Sequence, residues 1–276
     1  MTLCDLCGLP GVLLHAADPA SGLRRHARCP ACGLVFLDPA PPDAGDENEA
    51  LYGGPAPTTP VREREARHAA ELRPLLRRAR GRAARVLDVG CGRGAFLARA
   101  RALGLQAEGV DLSPARAAEA AARAGVPVHA GPLESLPPGP GFDLIRLHQV
   151  LEHVARPGAL LSAARSRLAE GGELLVSTPN AAALAHAVLG PGWRQLGHAA
   201  NGHRVLLDPS TLRRLAARSG LEVVALRTRG ARAWSLVRGG AARRAWRGVE
   251  LCLEPWVRLL GRGATLEARL RAVPGR

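Results

Sequence analysis

Four of the six cysteines crowd into the first 32 residues as two matched pairs, Cys4-Asp5-Leu6-Cys7-Gly8 and Cys29-Pro30-Ala31-Cys32-Gly33. A two-residue gap lets both thiolates of a pair reach one metal ion. The glycine that follows permits the tight turn that aims backbone N–H groups at sulfur. Two such pairs fill a tetrahedral shell and leave no open position. The expected occupant is therefore a structural zinc held by Cys4, Cys7, Cys29 and Cys32. A pair of disulfides is the competing use of the same residues, disfavoured in a reducing compartment. His15 and His26 lie between the pairs and, with the shell already full, read as surface residues.

A second cluster is Val86-Leu87-Asp88-Val89-Gly90-Cys91-Gly92-Arg93-Gly94. Glycines at alternate positions let the backbone turn sharply and approach a ligand too closely for any side chain. The helix expected just behind them offers unpaired N–H groups to an anion. Asp88 precedes the loop and can hold an ammonium, directly or through water. Asp111 comes 17 residues after Gly94, in Gly109-Val110-Asp111-Leu112. A carboxylate at that neighbouring strand tip accepts both hydroxyls of a ribose. A dehydrogenase-type dinucleotide site and a bare tight turn are the alternatives. The order acid, G-x-G-x-G, acid departs from the dehydrogenase fingerprint, whose second gap is two residues.

These residues need a scaffold, and the pattern from residue 85 onward supplies one. Apolar strands are expected at Val86–Gly90, Leu105–Val110, Val126–Ala130, Phe142–Val150, Gly172–Ser177 and Leu221–Thr228. Helices are expected over Ala95–Leu103, Pro114–Ala124 with Ser113 as cap, Pro157–Ala169 and Ser210–Ser219. This rhythm demands an α/β fold: a doubly wound, mostly parallel sheet with helices on both faces and its ligands at the carboxyl ends of the strands. Ahead of it lie the zinc module (1–37), a linker rich in Pro, Gly and acids (38–60) holding the sole tyrosine, Tyr52, and a helix from Val61 to about Arg80. That helix puts Leu72, Leu75, Leu76 and Ala79 on one face and carries Pro74.

The formal net charge is +14, and all 38 basic residues are arginine. The arginines are spread along the chain, so a solvated basic surface is the favoured reading and a nucleic-acid groove the lesser one. Apolar residues make up 47% of the chain, enough for a real core, and no run is long enough to cross a membrane. Without a signal-peptide pattern, a cytoplasmic location is the default expectation.

Residues 85–180 resemble the class I S-adenosylmethionine-dependent methyltransferase family. The whole chain is similar to bacterial small-molecule members with an N-terminal zinc module. The resemblance rests on the glycine motif, GVDLSP at 109–114, FDLIRLHQVLEHV at 142–154 and GGELLVSTPN at 171–180. Trp193, His203 and DPSTLRRLAARSGLEVV at 208–224 extend it. It implies a Rossmann-like sheet of seven strands, the last at Ala264–Ala272, in a domain spanning 61–276, with 231–260 as an inserted helical pair. In that pair Trp246, Val249, Leu253, Trp256 and Leu260 recur at helical spacing, read as a lid in preference to a lipid-binding face.

The resemblance also implies S-adenosylmethionine as cofactor. Asp88, Gly90, Gly92, Gly94, Asp111, Leu112 and His148 would line it, with adenine against the backbone at Leu133. The expected partner is a small acceptor, an oxygen of a sugar, polyketide or other secondary metabolite. An rRNA or tRNA methyltransferase and a non-catalytic cofactor-binding assembly protein are the competing readings. A hydroxyl acceptor must lose a proton, and His153 before His203 is the expected base; shaping the loop is the other use of His153. Metal-using ubiquinone-type relatives carry an acid where this chain has Gln149, with Glu152 and His153 alongside, which argues against a catalytic metal. His198 is a weaker match than His203. The oligomeric state is not legible.

Overall fold

A computed structural model of the chain describes residues 2–40, 61–79, 83–193, 195–196, 202–230 and 252–275. Most of the expected linker, including Tyr52, lies outside these residues. So do His198 and positions 231–251 of the expected insertion, with Trp246 and Val249. Among the described residues there are two sheets, and the chain divides into two compact units.

The first unit takes in the described residues of Met1–Asp43, Gln149–Ala159 and Val176–Leu270. Its small sheet has the order β1-β2-β3-β9, with β1 at Val12–His15, β2 at His26–Arg28, β3 at Val35–Leu37 and β9 at Val205–Leu206. All three pairings are antiparallel. A side chain at Gly11 would meet Ala27 and Phe36 below 3 Å, so the chain entering β1 passes at backbone contact. Leu23, Val35, Leu206, Trp193 and Ala181, Ala183 and Ala185 form one buried cluster. His26 is buried within this sheet at 2% exposure, contrary to the surface placement expected of it. Its strand is covered on both sides, and its ring packs edge-on to His15 at 6.4 Å.

In the same unit, helix α5 (Leu184–Leu189) precedes β9, helix α6 (Pro209–Arg218) follows β9, and strand β10 (Leu221–Arg229) follows α6. Asp208 caps α6 reciprocally with Thr211, each side chain accepting from the other's backbone N–H. Residues 252–259 are helical, with Val257 buried and Trp256, Leu259 and Leu260 exposed.

The second unit takes in the described residues of Ala44–His148, Leu160–Leu175 and Arg271–Arg276. Helix α1 (Val61–Ala79) runs through Pro74 and buries Leu72, Leu75 and Ala79. There follow β4 (Arg85–Val89), α2 (Ala95–Ala102), β5 (Gln106–Asp111), α3 (Pro114–Ala124), β6 (Val128–Ala130) and β7 (Phe142–His148). Ser113 caps α3 by accepting from Arg116 N–H, and Gly125 closes it in the left-handed conformation. The pairings β4–β5, β4–β7 and β5–β6 are all parallel. Leu72, Leu75, Val86, Phe96, Leu97, Leu105 and Leu144 share one core.

With β8 (Leu168–Pro179), which follows helix α4 (Pro157–Ser166), and β11 (Thr265–Ala272), the larger sheet reads β10-β11-β8-β7-β4-β5-β6. This is the seven-stranded, Rossmann-like sheet expected from the sequence. The strand order reverses at β4, which puts the switch point at the carboxyl ends of β4 and β7. β8 starts earlier than expected because it runs through Gly171-Gly172. A Cβ at Gly172 would sit 2.6 Å from the Phe142 carbonyl, so the glycine admits close strand contact where it was expected to mark a strand's start. β7 ends two residues early because Gln149 adopts φ 57°, a left-handed conformation no strand can hold. Among the described residues no helix is long and apolar enough to cross a membrane.

Candidate cofactor site and metal centres

The glycine loop leaves β4 through three left-handed residues, Gly90, Gly92 and Gly94. Gly90 and Cys91 donate their N–H groups to the Val110 carbonyl at 2.8 and 3.1 Å, which ties the loop to β5. Asp111 Oδ2 accepts from Gly92 N–H at 2.8 Å and Oδ1 from Ser113 N–H at 3.1 Å. Its carboxylate therefore shapes the loop, and each oxygen keeps lone-pair capacity for a further donor. Burial raises its pKa, and these two N–H groups work against the rise.

The three glycines serve different ends. A Cβ at Gly92 would meet nothing within 4 Å, so it would project into open space over the loop. A Cβ at Gly94 would sit 2.9 Å from the Ala120 backbone, so Gly94 allows α2 to pack on α3. Leu112, half exposed, follows the tip of β5; Leu133 is buried in a 3-10 turn, Leu133–Ser135; His148 is the last residue of β7.

Asp88 is only 1% exposed, and its Oδ1 accepts from Arg146 at 3.0 Å. Arg146 reaches Glu71 on α1 at 2.8 Å and lies over the Phe96 ring, 4.4 Å from its centroid. Burial pushes Asp88 up to about 6 even with Arg146 beside it. His68, on the same helix as Glu71, is driven down to about 3 by burial and by Arg146. The sequence reading missed this buried network. Its one signal was an arginine set in the otherwise apolar run Leu144-Ile145-Arg146-Leu147.

A cavity of about 510 Å³ lies at the other end of these strands, lined by Arg85, Glu108, Val128, Phe142 and Arg167. Arg85 and Phe142 begin their strands, whereas ligands of such sheets sit at the carboxyl ends, so this cavity is not the cofactor site.

In the first unit, the four N-terminal cysteines converge, with all four sulfurs within 4.8 Å of one another and Cys4 Sγ 3.5 Å from Cys32 Sγ. No disulfide joins them. Both knuckles are built alike. Gly8 N–H donates to the Cys4 carbonyl at 2.8 Å and Gly33 N–H to the Cys29 carbonyl at 2.9 Å, each glycine with positive φ. Burial raises the Cys29 thiol, but N–H groups of Cys32 and Ala31 outweigh it and bring the pKa to about 7. Burial raises Cys4 and Cys32. Four thiols in so small a volume, with N–H groups aimed at sulfur, fit a tetrahedral divalent ion.

A second convergence in this unit brings Glu152, His153 and His203 together, with one ligand atom of each inside 4.8 Å of the others. Glu152 and His153 sit on a 3-10 turn, Leu151–His153, directly after Gln149 and Val150. Arg204 N–H donates to the Glu152 carbonyl at 2.6 Å, which brings His203 against that turn. The two rings meet edge-on at 4.9 Å. Glu152 is fully buried, and its Oε2 accepts from Thr178 Oγ1 at 2.9 Å. Burial lifts Glu152 to about 8; burial and the neighbouring His203 depress His153 to about 3. The sequence paired His153 with His203 in expectation; Thr178 went unnoticed, and Glu152 was not placed among the working residues.

A family model described as a methyltransferase domain matches residues 61–226. The ubiquinone biosynthesis O-methyltransferase of Xanthomonas euvesicatoria pv. vesicatoria (strain 85-10) is 34% identical over 152 residues, covering 51% of this chain and 63% of its own. That of Cupriavidus pinatubonensis (strain JMP 134 / LMG 1197) is 30% identical over 155 residues, covering 52% and 62%. The chain thus spans less than two thirds of the length of these relatives. A SAM-dependent methyltransferase from Archaeoglobus fulgidus aligns with TM-score 0.54 at 19% identity, covering 81% of this chain and 96% of that one. The magnesium protoporphyrin IX methyltransferase of Synechocystis PCC 6803, with bound SAH, aligns at 0.54 and 16%, covering 82% and 94%. At these identities the likeness is one of fold.

Proposed function

The chain belongs to the methyltransferase-domain family, and from that premise we propose that it moves a methyl group from S-adenosylmethionine to an oxygen of a small-molecule acceptor. The observation that carries the cofactor assignment is the loop clamped by Asp111, with open space at Gly92 and the first turn of α2 behind it. Backbone N–H groups there suit the carboxylate of the methionine moiety, and Asp111 suits the ribose. Asp88, held by Arg146, supports the loop from beneath. The sulfonium is already a reactive donor, so the protein's contribution is alignment of nucleophile, methyl and sulfur, together with handling of the acceptor's proton. His153 and His203 are the side chains assigned to that hydroxyl.

The cysteine cluster is assigned a structural zinc. A module of this size buries too little apolar surface to fold alone, and ligation would supply the missing stability. An oxygen acceptor is supported by the ubiquinone-pathway relatives, which are named as O-methyltransferases. Sugars, polyketides and phenols are the acceptor classes to screen. Calorimetry with S-adenosylhomocysteine tests the assignment: wild type binds, Gly92→Trp does not, and Asp111→Ala binds more weakly. Tighter binding of a nicotinamide dinucleotide than of S-adenosylhomocysteine overturns it.

A further inference from the structure

Two histidines that methyl transfer leaves unused face each other in the first unit. His15 closes β1 and His186 stands on α5, 171 positions later, yet their Nε2 atoms lie 3.4 Å apart. An N–H donor approaches its acceptor to about 2.7–3.2 Å, so this pair is too far apart for a good hydrogen bond. A tetrahedral ion with metal–nitrogen bonds of about 2.0–2.1 Å holds two imidazole nitrogens about 3.3–3.4 Å apart. The observed separation matches the second arrangement. His186 is prepared for it. Its Nδ1 donates to the Ala181 carbonyl at 2.7 Å, which leaves Nε2 as the lone-pair nitrogen of the neutral ring. Fixing a ring through a carbonyl on its far side is how proteins orient metal-binding histidines. The Trp193 ring stacks on it, 4.8 Å between centroids and 18° between planes. His15 is aimed by its strand: Leu13 pairs with Ala27 and His15 with His26, so Leu14 is bulged out of the ladder. Bulges re-aim the side chains beside them. His15, a surface residue by its sequence, is thereby half-buried against His186.

We propose that His15 and His186 form a two-imidazole site for a divalent transition ion, separate from the four cysteines and independent of methyl transfer. The donors and their separation select zinc or cobalt. Imidazole suits such borderline ions, whereas magnesium and calcium take oxygen ligands, and a square-planar ion would draw two adjacent nitrogens closer than this. Two protein ligands leave the other positions of a tetrahedral shell to water or to a donor from another molecule. Arg28, on β2, is a positive charge that bears on both rings, but it is exposed and so screened by solvent and salt. With two ligands and that opposing charge, this is the weaker and more exchangeable of the two proposed centres. An ion here would tie β1, the outer strand of the small sheet, to α5 across the long stretch of chain between them.

The test uses the full chain purified with zinc, so that the cysteine cluster is filled as proposed. Titration calorimetry with CoCl2 reports further binding, and proton NMR reports paramagnetically shifted imidazole signals; MgCl2 serves as comparison. The expected result is one further cobalt ion per chain, with shifted signals from two histidines. His15→Gln should weaken cobalt binding by about tenfold or more, whereas His153→Ala should leave it in place. His186 also packs on Trp193, so His15→Gln carries the test, and unchanged zinc content certifies each variant. Thermal unfolding is the second measurement: Tm of the wild type should climb with added CoCl2, and the climb should vanish in His15→Gln. Cobalt binding that is absent from the wild type, equal in wild type and His15→Gln, or lost in His153→Ala overturns the proposal, as does preference for magnesium. S-adenosylhomocysteine binding is a separate readout, so the methyltransferase reading stands or falls apart from these outcomes.

Discussion

Replacing Arg146 by Met would be the most revealing single perturbation of the fold. Arg146 is 4% exposed and reaches two carboxylates, Asp88 at 3.0 Å and Glu71 at 2.8 Å. Methionine fills much of the same volume but leaves both acids without their cation. Breaking a buried pair from one side costs about 3–5 kcal/mol. For a domain of this size that lowers Tm by roughly 6–20 °C, at about 2–4 °C per kcal/mol.

The loss must depend on pH with a definite sign. Asp88 titrates at about 6 in the folded chain, above its ordinary 3.8, because burial raises it more than Arg146 lowers it. Between those values the folded state holds a proton that the unfolded state has released, so this group's contribution to stability falls as pH rises. Without Arg146 the folded pKa climbs further and the penalty grows towards neutral pH. Urea unfolding followed by circular dichroism should therefore show a larger loss for Arg146→Met at pH 8 than at pH 5. Arg93→Ala, which removes an exposed pair at 3.7 Å from Glu119, is the control, with a change below about 1 kcal/mol. A loss under about 1 kcal/mol at pH 8, or the same loss at both pH values, would refute the assignment of Arg146 as the counter-ion of a buried acid.

Cys29→Ser should release the zinc proposed for the cysteine cluster and destabilise the chain by on the order of several kcal/mol, whereas exposed Cys252→Ser should do neither; elemental analysis with thermal unfolding checks both. His153→Ala should lower turnover by about two to four orders of magnitude while S-adenosylhomocysteine affinity stays near wild type; a parallel fall in affinity would mark a loop-shaping residue. His68 is held at about 3, so below its ordinary 6.5 the unfolded chain takes up a proton that the folded one refuses. Stability should fall as pH drops through that window, at a limit of roughly 1.4 kcal/mol per unit. His68→Phe should flatten this acid limb in unfolding measured from pH 7 to 4.

The glycine loop, both acids around it and the cysteine knuckles were legible because each is a local string whose geometry follows from residue type and spacing. The βα rhythm was legible for the same reason: apolar runs alternate with capped helices over short distances. What escaped notice depends on partners far away in sequence. Arg146 sits in an apolar strand and is tolerable because Asp88 and Glu71, 58 and 75 residues earlier, meet it. His26 reads as polar surface until strands on both sides bury it. Gln149 ends β7 early through a left-handed φ that no sequence pattern announces. β9 is two residues long, too short for any periodicity to register. The convergence of His203 on Glu152 depends on the Arg204 backbone bond, which likewise has no signature in the sequence.

That short strand has a consequence for the nascent chain. Phe36 pairs with Val205, 169 positions later, so β3 leaves the ribosome long before its partner exists. At about 5–20 residues per second, the wait is on the order of 10–30 s. During it the cysteine knuckles would already be able to close on the proposed zinc, while Val35-Phe36-Leu37 offers an open edge of apolar backbone. Such an edge is a template for pairing with other chains. Under the proposed zinc assignment, early metal capture would serve as a holding device, keeping a half-built sheet compact until the strand that completes it arrives.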